Sequence, residues 1–135
     1  MTTPATILSD ALRAFSNNGP GVVRLTATAA PGTRIPEERL FQLVIPTWGV
    51  NTNQLILPAP DPGKIVVIAG SATGGDIRTT SPNAISINGP VGQGANAKSA
   101  VAANQMVIAI CESPVSWKAF TIAQAGTVAA LAPAS

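Results

Sequence analysis

The chain has no histidine and no tyrosine, a single cysteine, and charged side chains at only 10% of its positions. Each shortage excludes something. Zinc and copper sites of the usual kinds draw on imidazole and paired thiolates, and neither can be assembled here. A serine or cysteine nucleophile needs a base close by, and no imidazole exists to serve Cys111 or any serine. One cysteine also excludes an intrachain disulfide. It lies in the apolar run VIAIC, which fits a buried structural thiol. The acids number six and are scattered, so neither a calcium-loop spacing nor a catalytic carboxylate pair is nominated.

The basic residues are equally thin. Eight of them give a net charge of +2, and the densest group, Arg34, Glu37, Glu38 and Arg39, is mixed in sign. Nucleic-acid binding needs clustered cations and stacking aromatics, so it is not expected. No apolar run has the length of a membrane span, and no hydrophobic stretch behind a basic start reads as a secretory signal. The glycine-rich stretches GSATGG (70–75) and GPVGQG (89–94) lack the GK[ST] ending and the following helix of a phosphate loop. A metal, a cofactor and an enzymatic role are all unexpected.

What is present is a chain of 135 residues, enough for one domain with a real core. So few charges leave a surface of Thr, Ser, Asn, Gln, Ala and Gly, or one that partners cover. Residues 1–18 stand apart. Ile7, Leu8, Ala11, Leu12 and Phe15 recur at helical spacing, and Asn17, Asn18, Gly19 and Pro20 stop the pattern. This segment is an arm, extended or a short helix over about 5–16. It packs either on its own domain or on a neighbouring subunit.

Residues 19–135 read as strands separated by turns. GVVRLTATA alternates with period two. LFQLVIP (40–46) is a compact strand ended by proline, and QLIL (54–57) another. AAPGTRIPEER between the first two is a loop, and PAPDPG is a rigid connector. From Gly63 to Ile122 follow KIVVIA, DIRTT, AISI, a short strand over 101–103, MVIAIC, and VSWKAFTI; residues near Val128 and Leu131 add a last strand. In VSWKAFTI, Val115, Trp117, Ala119 and Thr121 share one face, and Ser116, Lys118, Phe120 and Ile122 the other. No repeat of fixed period stands out. Short strands with Gly, Pro and Asn between them predict an all-β, antiparallel sandwich of jelly-roll type over 19–135. Trp48 and Trp117 are the largest side chains; each is a core residue or an interface anchor.

The order KIVVIAG, DIRTTS, ISING with Ile87, Asn88 and Gly89, an Asn-Gln turn into Met106 to Cys111, then ESPVSW with Trp117, resembles small β-rich virion proteins of tailed bacteriophages. Such segments occur in capsid decoration (cement) proteins and in fibre domains. The resemblance implies a non-enzymatic protein of the capsid surface, made in the host cytoplasm, that bridges major capsid protein subunits. It also implies that the chain associates with itself, as a dimer or trimer. The contact would be made by Ile7, Leu8, Leu12 and Phe15 of the arm and by Trp48. The alternative is a tail- or head-fibre module that binds a host surface glycan.

Overall fold

The computed structural model describes residues 21–91, 94 and 97–133. Eleven strands and no helix are found among them. They are β1 (Val22–Thr26), β2 (Thr33–Arg34), β3 (Phe41–Thr47), β4 (Gln54–Ile56), β5 (Ile65–Ile68), β6 (Gly75–Arg78), β7 (Ser86–Ile87), β8 (Ser99–Val101), β9 (Met106–Ser113), β10 (Ser116–Ile122) and β11 (Val128–Ala130). The long apolar runs of the sequence fall where expected. β3 and β10 alternate between buried and open positions along their whole length, as a strand with one covered face does.

The expected jelly roll of antiparallel strands is not what forms. The strands make two open, mixed sheets. The larger has seven strands in the order β1-β3-β5-β9-β10-β11, with β7 also on the edge of β10, and the smaller is β2-β4-β6-β8. β1, β3 and β5 run parallel, and so do β2, β4 and β6. The chain therefore coils. It lays one strand in the large sheet, crosses to the small sheet, and returns to stack the next strand beside the first. Antiparallel strands appear only after three such turns, where β8 closes on β6 and β9 on β5.

Coiling reveals a repeat that inspection of the sequence does not. Val22 pairs with Leu43 and Leu43 with Val67; Thr33 pairs with Leu55 and Leu55 with Ile77. Ile35, Leu57 and Thr79 follow at matching places, and all three are buried. Ile35 N–H donates to Ile56 O and Leu57 N–H to Arg78 O, so each turn hangs on the next. Pro36 and Pro58 then lead the first two turns out of the small sheet. The spacing differs between turns and the side chains differ in kind, so no fixed period shows. β2, hidden in the stretch read as a loop, is held in place by β4 and is only two residues long.

Pro46 does not end β3, which runs on to Thr47. Leu43 N–H points to β1, where it meets Gly21 O. The nitrogen of Pro46, an odd number of residues on, therefore faces the β5 side. Pairing to β5 stops at Val44, so no donor is missed there.

One core fills the space between the sheets. Val44, Val66, Ile68, Val107, Ala109, Cys111, Trp117 and Ala119 contribute from the large sheet, and Leu55, Ile77 and Val101 from the small one. Asn88, in the left-handed region at φ 58°, closes a gap in the edge of β10. β7 pairs with Ser116 and Trp117, and β11 with Phe120 to Ile122, which leaves Lys118 and Ala119 between them, with the N–H and C=O of Ala119 turned to the edge. The Asn88 carboxamide fills that place. Its Nδ2 donates to Ala119 O at 2.6 Å and to Leu131 O at 2.8 Å, and its Oδ1 accepts from Ala119 N–H at 2.9 Å. The side chain thus does what a strand's peptide group would do.

Candidate functional site

Of the residues singled out as contacts, Ile7, Leu8, Leu12 and Phe15 lie outside the described residues. Trp48 is placed inside the fold, 2% exposed, in the core cluster between the sheets. Its ring lies against Gly75; a Cβ on Gly75 would fall within the indole itself. A Cβ on Gly74 would strike the carbonyl of Val101. The second half of GSATGG is thus glycine because a tryptophan and a neighbouring strand approach the backbone too closely for any side chain. Trp117 is also fully buried. Neither indole presents a surface.

The surface that stands out is the outer face of the seven-stranded sheet. Registers fix its membership. Phe41, Ile65, Ile110 and Lys118 lie in one row across β3, β5, β9 and β10; Val22, Leu43, Val67, Ile108, Phe120 and Ala130 lie in the next. Arg24 and Ile45 share a further row, and Met106, Ile122 and Val128 another. Every one of these side chains is half-buried or exposed. Ile110 is 37% exposed, Phe120 36% and Val128 61%. Arg24 and Lys118 are the only charges among those rows. Strand spacings of about 4.8 Å and rises of about 3.3 Å per residue give the face on the order of 400 Å². A patch of that size is what the largest apolar patch of a typical monomer reaches, and such patches are often functional.

This face was only partly legible. The two sides of 115–122 were separable from alternation, but which side looks outward depends on where the small sheet lies. β3, β5 and β9 carry apolar residues on both sides, so alternation of polarity is absent there.

The remaining surface offers little chemistry. Among the described residues no group of three or more acidic, histidine or cysteine side chains comes together. Asp76 is buried and ion-paired to Lys98 at 3.2 Å, while Arg34 and Glu37 pair at 3.4 Å in the open. A cleft of about 710 Å³ beside β8 is lined by Val50, Asn51, Thr73, Gly74, Ala102 and Gln105 among others, with no aromatic and no charge in its wall. A second, of about 590 Å³, lies at the first turn of the coil between Val22, Arg24, Pro36 and Arg39. Cys111 is 2% exposed, and burial pushes its thiol pKa above the ordinary value.

The chain was compared with known protein families and with curated proteins, and it matches none of them.

Proposed function

We propose that this chain is a structural virion protein of the decoration (cement) type. It binds the outer surface of a capsid, bridges major capsid protein subunits, and associates with further copies of itself. The observation that carries the proposal is the outer face of the large sheet, broad, apolar and nearly free of charge. Such a face suits a protein that works by burying area on others. The arm residues Ile7, Leu8, Leu12 and Phe15 supply the capsid contact in this reading. Binding only the assembled shell stabilises it by mass action, and many copies on a lattice add avidity. A role without catalysis accords with the scatter of the acids and the lack of histidine.

The glycan-binding fibre module is the weaker reading. Sugar rings are commonly held by stacking on exposed aromatics beside polar groups; both tryptophans are buried, and the exposed Phe41 and Phe120 sit among the aliphatic side chains of the sheet face. The test is binding of the purified chain to expanded shells of the virus that encodes it, followed by sedimentation. Wild-type protein should pellet with the shells in a fixed ratio to the capsid protein. The full chain carrying Leu12→Ser and Phe15→Ser should remain folded and stay in the supernatant. Wild-type protein that never pellets refutes the role, and a variant that pellets as well as wild type refutes the arm as the contact.

A further inference from the structure

The last strand of the large sheet is open along one edge. Leu131 N–H donates to Ala119 O and Ala123 N–H to Thr127 O, while Ala129 faces Thr121 across the pair. The odd-numbered residues of this segment therefore direct their peptide groups at β10, and those of Val128 and Ala130 point the other way. These outward groups meet no partner among the described residues. Val128 is 61% exposed, and Ala129 and Ala130 are exposed with it. We propose that this edge pairs with the same edge of a second copy, antiparallel, about a two-fold axis at Ala129. The inference rests on the self-association contained in the reading above and gives it a surface; it does not depend on capsid binding.

The chemistry of the edge supports it first. Unpaired N–H and C=O groups in an extended strand are a template for another strand, and proteins that stay single blunt such edges with charge, proline or a bulge. β11 has none of these. No residue from 119 to 135 is charged, Val128–Ala130 contains no proline, and its register against β10 runs without a shift. The other edge strands differ. β1 carries Arg24, β2 carries Arg34, β8 follows Lys98, and β7 is two buried residues long.

Symmetry supports it next. The outward groups belong to Val128 and Ala130, one on each side of Ala129. A two-fold axis at Ala129 sets Val128 opposite the second copy's Ala130, and Ala130 opposite its Val128. Each of these pairs exchanges two hydrogen bonds, so four form and no outward group of the strand is left over. The side chains fit the same register. Val128 and Ala130 stand on the outer face beside Ile122 and Phe120, and each cross-strand pair sets a large side chain against a small one. The row of Ile122 and Val128 then runs on through the second copy's Ala130 and Phe120, with no charge at the seam. So short a contact falls well under the roughly 800 Å² per partner of a standard interface. The pair is therefore weak between free chains and holds firmly where copies are kept side by side.

Single cysteines test this in the full chain, with Cys111→Ala removing the native thiol. Ala129→Cys lies on the axis, where the facing Cα atoms of a non-hydrogen-bonded pair are about 4.5 Å apart, within disulfide reach. Val128→Cys lies about 8–9 Å from its own copy in that register, beyond reach. Val115→Cys, 58% exposed between β9 and β10, measures random collision. Under mild oxidation, Ala129→Cys should form covalent dimers several-fold faster than either of the others. Adding Ala130→Lys places a cation from each copy at the seam and should return the rate to that of the Val115→Cys control, with an unchanged urea midpoint showing an intact fold. Wild-type protein should sediment faster as its concentration rises, approaching the dimer and not exceeding it. Equal rates for Ala129→Cys and Val115→Cys would overturn the inference, and so would fastest closure at Val128→Cys. Wild-type protein that stays monomeric at every concentration, or that grows past the dimer into filaments, would overturn it as well. Dimers that never bind shells would remove the virion role and leave the edge pairing standing; shell binding by a chain that never pairs would do the reverse.

Discussion

Replacing Asn88 isolates the contribution of a single side chain that stands in for a strand. In Asn88→Ala the buried Ala119 N–H loses its acceptor and Leu131 O its donor. Ala119 O keeps one partner, the N–H of Leu131. Two stranded groups at roughly 1–3 kcal/mol each, reduced where water enters at the half-buried site, come to about 2–4 kcal/mol. Alanine at φ 58° adds about 1 kcal/mol, because its Cβ crowds the backbone in that region. The expected loss is therefore about 3–5 kcal/mol, a large share of the 5–15 kcal/mol by which a domain is stable. Asn88→Gly removes the backbone cost and keeps the hydrogen-bond loss, so it should be about 1 kcal/mol milder than alanine. Asn88→Asp is the sharpest variant. It preserves the acceptor for Ala119 N–H but turns an anionic oxygen toward Ala119 O and Leu131 O. Those carbonyls raise the folded-state pKa of the new carboxyl, so the variant gains stability relative to wild type as pH falls through that raised value. Urea unfolding followed by tryptophan fluorescence measures all three, since Trp48 and Trp117 are both buried and report the same core. The midpoint should fall with little change in slope. An alanine variant within about 0.5 kcal/mol of wild type would show that water replaces the carboxamide at no cost, and would refute the reasoning.

Two further perturbations address the core. Gly75→Ala should destabilise by about 1–3 kcal/mol or more, because the new methyl and the Trp48 indole claim the same space. Trp48→Leu should cost less in that background than alone, and equal costs in a double-mutant cycle would contradict the contact. Cys111 should resist thiol reagents in the native state and react on unfolding. Its folded pKa is raised by desolvation. Its contribution to stability is thus full below the ordinary thiol value and lost as pH climbs through the raised one. Native reaction as fast as that of a free thiol would contradict the burial.

The sequence by itself determined the class of the protein and most of its strands. Alternation and β-branched runs place β1, β3, β5, β9 and β10, because a side chain's neighbours along the chain decide which of two faces it can occupy. Lack of histidine and scarcity of charge set the chemistry, because no folding can supply groups that are missing. Tertiary structure alone decided how strands pair. Parallel partners lie more than twenty residues apart, and nothing local separates a strand that stacks on the previous turn from one that folds back as a hairpin. It turned a presumed loop into β2, since two residues become a strand only when Leu55 and Ile56 are alongside. It took Trp48 into the core over a glycine chosen to fit it. It also chose which apolar side of β3, β5 and β9 looks outward, because both sides are apolar and only the position of the second sheet breaks the tie.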